Sequence, residues 1–294
     1  MAILGRPNVG KSTLLNALVG ERIAIVSSHP QTTRDRVAGI LTDDTSQLVF
    51  IDTPGIHRAR TKLGARMNQI AREATLGADL VMFMTDLAPG TLPEMREVDR
   101  NILNEVPPKV PVIMVLNKAD KIKDKSKLLP ILTGYAKVRE FAAIVPLSAK
   151  RQDSGVARLL EEARKLLPEG PRVFPEDELS DKPVRFFVAE LVREQILAKT
   201  RDEVPHGVAV TVERFDESTR VPNIGVTIHV DRDAHKKIVV GERGQRIKSI
   251  GQDARARIEE LVGKQVHLEL WVRVTPRWYE SDAQLREMGY GQER

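Results

Sequence analysis

Eight residues near the start of the chain, GRPNVGKS (Gly5 to Ser12), have the types and spacing of a phosphate-binding loop. In the pattern G-x-x-x-x-G-K-[ST], the glycines let backbone amides turn inward around a β-phosphate. The lysine (Lys11) reaches the β- and γ-phosphates, and the final hydroxyl (Ser12) ligates magnesium. On its own the match also fits an ATPase, or a glycine-rich turn before a helix.

A second motif, DTPG (Asp52 to Gly55), follows the predicted strand Leu48–Ile51. A carboxylate here can hold magnesium through water, and a glycine amide can meet the γ-phosphate. The segment SSHPQTTRDR (Ser27 to Arg36) lies where a first switch loop is expected. Thr33 is the predicted second hydroxyl on magnesium, held only while the γ-phosphate is present, and its neighbour Thr32 is the competitor.

Two further motifs select the base. NKAD (Asn117 to Asp120) and SAK (Ser148 to Lys150) each follow a predicted strand. Asp120 can accept hydrogen bonds from the ring N–H and the exocyclic amine of guanine, and adenine offers neither donor there. Open α/β sheets bind ligands at the carboxyl ends of their strands, so four motifs in this order predict a GTP site.

The predicted site residues fall into three groups. The predicted nucleotide contacts are Gly5, Arg6, Pro7, Asn8, Val9, Gly10, Lys11, Ser12, Thr13, Asp52, Thr53, Pro54, Gly55, Ile56, Asn117, Lys118, Asp120, Ser148, Ala149 and Lys150. The predicted catalytic residues are Lys11, Thr33, Asp52 and Gly55. The predicted magnesium ligands are Ser12, Thr33 and, through water, Asp52.

The hydrolysis step has no obvious catalytic side chain after DTPG. Ile56 stands where a water-positioning glutamine would be expected, and an isoleucine cannot orient water. We expect the next residue, His57, to be a surface histidine of the switch loop. Asn8 suggests another device, a potassium ion near the β- and γ-phosphates that neutralises charge in the transition state. A hydrogen bond that shapes the loop is the equal alternative for Asn8.

A second glycine loop occurs in VVGERGQRI (Val239 to Ile247), between two predicted short helices. Four residues are too few to cradle a triphosphate, but a GxxG turn suits clamping a single-stranded nucleic-acid backbone. Between Arg232 and Arg257 there are eight Lys or Arg and three acids, the local charge that phosphate binding needs. A helical joint with solvated charges is the alternative.

The predicted RNA contacts are Lys236, Lys237, Gly241, Glu242, Arg243, Gly244, Arg246 and Lys248. Trp271 and Trp278 are predicted to be packing residues, with base stacking as the alternative for both; Trp278 follows Arg277 and could touch RNA. The remaining histidines show no metal-binding spacing.

Composition restricts the class of protein. The chain has 294 residues, enough for about two domains. Charged residues make up 30% and apolar residues 41%, as in an ordinary soluble protein, and the formal net charge is +5. There is no cysteine, which excludes disulfides and cysteine nucleophiles and fits a reducing cytosol. No apolar run approaches the length of a membrane helix.

Strand-like and helical stretches alternate in the first half, which predicts a mostly parallel sheet with helices on both faces. Because only four residues precede Gly5, we expect a frayed, poorly supported first strand. Residues 168–183 contain four prolines and are predicted to be a linker between domains 1–167 and 184–294. After it the order helix, strand, strand, helix, helix, strand predicts an α+β domain.

With these motifs in place, the chain resembles the Era family, the bacterial GTPases with a KH domain, over essentially its whole length. The matching stretches are GRPNVGKSTLLN, QTTRDR, DTPGIH, NKAD, SAK, FPEDELSD, RFFVAELVRE, VVGERGQRIKSIG and VHLELWVRV. The resemblance implies an α/β P-loop GTPase domain followed by an α+β type II KH domain. Ile56 is then a family trait.

The resemblance also implies a function: binding of small-subunit ribosomal RNA near its 3′ end and assistance in the maturation of that subunit. We expect a cytoplasmic monomer that uses GTP, GDP and Mg²⁺. The alternative is a membrane-surface signalling GTPase whose KH domain docks protein. The amphipathic segment Arg185 to Lys199 would then lie on the inner face of the membrane. The family of ribosome GTPases with two tandem G domains fits less well, because this chain has one P-loop and an intact GxxG.

Overall fold

The computed structural model describes residues 1–27, 29–200 and 204–290, apart from the side chains of Pro205 and His206. Ser28 of the predicted switch loop, and residues 201–203 and 291–294 of the predicted C-terminal domain, lie outside the described residues. The chain forms two compact units. One comprises Met1–Ala24, Pro30–Ala59 and Gly64–Asp181, and the other comprises Ile25–His29, Arg60–Leu63 and Lys182–Arg294.

A six-stranded sheet forms the centre of the first unit, in the order β2-β3-β1-β4-β5-β6. Strand β2 is antiparallel to β3, and the other neighbours are parallel. The strands are β1 (Ala2–Gly5), β2 (Val37–Thr42), β3 (Gln47–Asp52), β4 (Val81–Asp86), β5 (Val112–Asn117) and β6 (Ala143–Pro146). The helices are α1 (Lys11–Val19), α2 (Lys62–Leu76), α3 (Glu97–Asn104), α4 (Leu128–Ala136) and α5 (Ser154–Arg164).

The expectation of a frayed first strand is wrong. Strand β1 is buried along its length and pairs with β3 on one side and β4 on the other. The Met1 amine donates to the Val49 carbonyl at 2.9 Å, and the Ile51 amide donates to the Met1 carbonyl at 2.8 Å. A central strand with two partners needs little length to be well supported.

The predicted linker, residues 168–183, contains no helix or strand, but much of it lies against the first unit. The Gln47 side chain receives the amides of Val173 and Phe174 at 2.8 and 2.9 Å and donates to the Phe174 carbonyl. The Ile40 amide of β2 donates to the Leu179 carbonyl at 2.9 Å. The segment therefore covers the edge of the sheet.

The second unit is an α+β fold around a three-stranded sheet, in the order β7-β8-β9, with β9 at an edge. Its elements are α6 (Val184–Lys199), β7 (Val208–Asp216), β8 (Asn223–Val230), α7 (Asp233–Val240), α8 (Gln245–Val262), β9 (His267–Val274) and α9 (Asp282–Glu287). Apolar residues of α6, α7 and α8 pack on one face of the sheet. The order α6-β7-β8-α7-α8-β9 matches the prediction, except that α8 has 18 residues and is not short.

Candidate functional sites

The P-loop lies between β1 and α1. Gly10 has φ 106° and precedes the first residue of α1, and an added Cβ there would lie 2.3 Å from the Asn117 amide nitrogen. Only glycine combines this conformation with this approach. The Lys11 ammonium donates to the carbonyls of Gly5 and Arg6 at 3.2 and 3.1 Å, and burial lowers its pKa to about 8. The lysine is thus held within the loop that would surround a phosphate.

The three predicted magnesium ligands lie together. Ser12 Oγ is 2.7 Å from Asp52 Oδ2 and 2.9 Å from Thr33 Oγ1, and Thr33 Oγ1 is 3.3 Å from Asp52 Oδ2. The Thr33 hydroxyl therefore lies at the site; its competitor Thr32 is buried beside it. Burial raises the pKa of Asp52 above its ordinary value, although Lys11 opposes this.

This arrangement fits magnesium. The Oδ1 atom of Asp52 is buried and has no hydrogen-bond partner within the described part of the chain. Magnesium prefers oxygen ligands and keeps several waters, with few protein ligands and the substrate phosphates completing the sphere. Two hydroxyls and one carboxylate meet that requirement.

The guanine side of the site is tied to the P-loop by Asn117 and Lys118. Asn117 donates to the Val9 carbonyl at 2.8 Å and receives the Ala149 amide at 3.0 Å. The Lys118 ammonium donates to the Asn8 carbonyl at 2.8 Å. These two side chains therefore connect three of the four motifs. The Asp120 carboxylate is partly exposed and lies 3.4 Å from the Arg151 guanidinium.

A buried acid network, which the sequence reasoning missed, holds the P-loop arginine. Arg6 Nε donates to Asp99 Oδ1 at 2.7 Å, and the Asp99 side chain is completely buried and also receives the Thr85 hydroxyl at 2.8 Å. Arg6 also contacts Asp86 at 3.0 Å, and Asp86 receives Lys118 at 3.0 Å. Burial alone would raise the pKa of Asp86, but these cations keep it below its ordinary value.

The switch residues after Asp52 differ in part from expectation. Gly55 lies against the backbone of Pro7, and Ile56 is buried in the core of the first unit. The expectation of a surface histidine is wrong, because His57 is partly buried and both ring nitrogens have partners. Its Nε2 is 2.8 Å from Gln31 Nε2, and its Nδ1 is 2.9 Å from the Gly55 carbonyl. The other predicted contacts, Thr13, Thr53, Pro54, Ser148 and Lys150, lie on the same loops or their flanks.

The GxxG loop joins α7 and α8 through three residues with positive φ: Gly241 (75°), Arg243 (48°) and Gly244 (76°). Val239 and Ile250 are buried and pack the two helices into the core. The predicted RNA contacts Lys236, Lys237, Glu242, Arg243, Arg246 and Lys248 are all exposed. The Arg246 guanidinium also donates to the Ile238 carbonyl, which closes the turn.

An open groove of about 330 Å³ lies beside this loop, between α8 and the edge strand β9. Its lining residues are Ile247, Lys248, Gly251, Gln252, Arg255, Leu268 and Leu270. Of these seven lining residues, only Lys248 is among the RNA contacts predicted from the sequence. The alternation of Leu268 and Leu270 on β9 was the available signal, but it equally fits a strand that faces the core.

The two tryptophans have different environments. Trp278 is completely buried and donates from its indole N–H to the Gly207 carbonyl at 3.0 Å, as predicted for a packing residue. The same prediction is wrong for Trp271, which is 49% exposed on β9. A residue in an alternating strand is buried only where the sheet face is covered.

A P-loop unit with guanine-selective motifs, followed by a KH fold, defines this chain as a GTPase with a nucleic-acid-binding module. Family models for "50S ribosome-binding GTPase" and "KH domain" match residues 1–118 and 203–279. The chain belongs to the Era family of GTPases. It is 45% identical to GTPase Era of Trichlorobacter lovleyi over 293 residues, covering 99% of this chain and 96% of that protein. It is 44% identical to GTPase Era of Ruminiclostridium cellulolyticum over 292 residues, with 99% and 96% coverage.

Solved structures give the same assignment. A crystal structure of an Aquifex aeolicus Era variant bound to GDP and AlF4⁻ is similar with a TM-score of 0.93 and 40% identity, covering 99% of this chain and 98% of that one. Era in complex with MgGDPNP and nucleotides 1506–1542 of 16S ribosomal RNA has the same TM-score at 39% identity, with 99% and 98% coverage. Within the described residues, no helix could span a membrane.

Proposed function

We propose that this protein is a GTP-hydrolysing switch that binds small-subunit ribosomal RNA near its 3′ end through the KH domain and assists maturation of that subunit. The observation that carries the proposal is the presence, in one chain, of a guanine-nucleotide site and an exposed basic GxxG loop beside an apolar groove. The complex of a relative with 16S ribosomal RNA supports the choice of RNA.

In the nucleotide site, Lys11 and the P-loop amides neutralise the β- and γ-phosphates, and Asp120 selects guanine. Ser12, Thr33 and, through water, Asp52 would hold the magnesium, which would neutralise charge on the phosphates when bound. In this proposal Thr33 contacts the magnesium only while the γ-phosphate is present, so the conformation of the first switch loop depends on the bound nucleotide. The Gly55 amide meets the γ-phosphate, and Gly55 already lies against Pro7 of the P-loop.

Hydrolysis in this proposal uses no glutamine after DTPG. A potassium ion held beside Asn8 would supply the missing positive charge. Asn8 has φ 62°, and its carbonyl receives the Lys118 ammonium. Under this hypothesis the GTPase rate is higher in potassium chloride than in sodium chloride at equal ionic strength; equal rates would eliminate the potassium site.

In the RNA site, the GxxG turn clamps the backbone and the bases lie in the groove of α8 and β9. Exposed cations, among them Lys236, Lys237, Arg243 and Lys248, contact phosphates, and Glu242 lies at the tip of the loop. Crosslinking in cell extract, with sequencing of the bound RNA in GTP and in GDP, tests the assignment. We expect enrichment of the 3′ end of the small-subunit RNA and a dependence on nucleotide. A random RNA population would contradict it.

We propose that the protein acts in the cytoplasm as a monomer. Peripheral contact with the inner face of the membrane is the competing expectation. Helix α6 is the segment that would contact the membrane, but it buries Val188, Val192 and Ile196 in the core of the second unit. Vesicle flotation with and without RNA distinguishes a cytoplasmic protein from one that binds the membrane surface. Light scattering in solution measures the oligomeric state.

A further inference from the structure

A half-exposed tryptophan, Trp271, lies on the outer face of the three-stranded sheet, against a glycine of the neighbouring strand. An added Cβ at Gly225 of β8 would lie 2.9 Å from Cζ3 and 3.2 Å from Cη2 of the Trp271 indole. The six-membered ring of the indole therefore lies against Gly225, and Trp271 remains 49% exposed. The same position would lie 3.4 Å from Arg214 Cβ, so side chains of β7 and β9 both approach Gly225.

The neighbours fix this aromatic surface in place. The Arg214 guanidinium donates to Glu269 Oε2 and Asn223 Oδ1, both at 2.9 Å, so its charge is neutralised within the sheet. Arg273, two residues beyond Trp271 on the same face, is exposed and makes no ion pair with any residue that the structure describes. The result is a half-exposed ring with an exposed cation, Arg273, farther along the same face of the strand.

The ring and the GxxG groove lie on opposite faces of the same strand, β9. Successive side chains of a strand point to opposite faces, so Leu268 and Leu270 of β9 line the groove while Glu269 and Trp271 face outward. Strand β9 is the edge strand, and a chain that leaves the groove therefore has to cross a single strand to reach Trp271. Stacking on an exposed aromatic ring is a general way of holding an unpaired base, whatever its sequence.

We propose that Trp271 is a second nucleic-acid contact, a stacking platform for an unpaired base that flanks the RNA segment in the groove, with Arg273 on the adjoining phosphate. The inference rests on the proposed RNA-binding function and extends it. It predicts a binding footprint longer than the groove.

The test compares a single-stranded RNA of about four nucleotides, the length that a GxxG clamp holds, with one of about ten. Affinity for the full chain is measured by fluorescence anisotropy. We expect the longer RNA to bind the unaltered protein about tenfold more tightly, the gain expected from one stacked base. Trp271→Ala should lose this gain but bind the short RNA normally, and Trp271→Phe should keep part of it. Circular dichroism checks that both variants fold.

Intrinsic fluorescence gives an independent measurement, because Trp271 and Trp278 are the only tryptophans of the chain. The longer RNA should quench the emission of the unaltered protein and leave that of Trp271→Phe unchanged. Equal affinity of Trp271→Ala and the unaltered protein for the longer RNA would overturn the platform. Failure of the unaltered protein to bind either RNA would instead overturn the proposed function.

Discussion

Asp99 supports the shape of the P-loop through Arg6. Its carboxylate is completely buried and ties the Arg6 guanidinium to α3, while the Arg6 carbonyl receives the Lys11 ammonium. Breaking a buried ion pair leaves a desolvated charge without its counter-charge, which is far more damaging than losing an exposed pair.

Replacing Asp99 with asparagine should therefore destabilise the first unit by about 3 kcal/mol. Nucleotide affinity should also fall, because the P-loop loses the ion pair between Arg6 and Asp99. Calorimetric unfolding and titration with fluorescent GDP measure the two effects. Glu105→Gln is the matched control: it breaks the exposed Arg72–Glu105 pair, worth less than about 1 kcal/mol. Equal effects of the two substitutions would contradict the role of Asp99.

Asp120 determines base selection at the same scale. Asp120→Asn removes one acceptor for guanine, and GTP should bind about 100-fold or more weakly. The amide can instead donate to the carbonyl of xanthine, so XTP should gain affinity. Competition between the two nucleotides measures the change. Asp124→Asn, four residues along and on the surface, should leave the preference for GTP unaltered; a variant of Asp120 that still prefers GTP would refute this assignment.

At the scale of the elements, the two glycines of the α7–α8 turn differ in how strictly the backbone requires glycine. Gly241 has φ 75° and ψ 177°, and an added Cβ would lie 2.6 Å from Arg246 Cβ. Gly244 has φ 76° and ψ 9°, and an added Cβ there would meet open space. The first conformation is essentially restricted to glycine, whereas the second is a left-handed helical one that other residues adopt at a moderate cost.

Gly241→Ala should therefore destabilise the second unit by about 2–4 kcal/mol, and Gly244→Ala by about 1 kcal/mol. Urea unfolding followed by tryptophan emission measures this unit alone, because both tryptophans belong to it. Similar midpoints for the two variants would show that the turn relaxes around the added methyl group.

Local signals predicted much of the architecture. The strand predicted at Leu48–Ile51 lies within β3 (Gln47–Asp52), and the first unit shows the predicted alternation of strands and helices. Long-range contacts had no such signal. Arg6 and Asp99 are 93 residues apart, and His57 meets Gln31 only once the switch segments fold. The exposure of Trp271 likewise depends on which sheet face is left uncovered.

At the scale of the whole molecule, charge determines how salt affects RNA binding. About five cations around the GxxG loop should contact phosphates, so log K for a single-stranded RNA should fall with log salt concentration with a slope of about −3.5. Arg243→Gln should make this slope less steep by about 0.7. Arg257→Gln is the control, since Arg257 is paired with Glu260 at 3.0 Å. A slope that does not change for Arg243→Gln would place the phosphates elsewhere.

The segment that closes β2 also bears on the behaviour of the protein during synthesis. An unpaired sheet edge can add a strand from another molecule and start aggregation. Residues 179–181 occupy the open edge of β2: the Leu179 carbonyl and Asp181 carboxylate receive the Ile40 and Ala38 amides, and the Ser180 hydroxyl donates to the Ala38 carbonyl. At the opposite edge, β6 ends in Pro146, which has no amide to donate. A nascent chain that stops short of residue 179 would still carry an open β2 edge, so that stage of translation is the one most exposed to self-association.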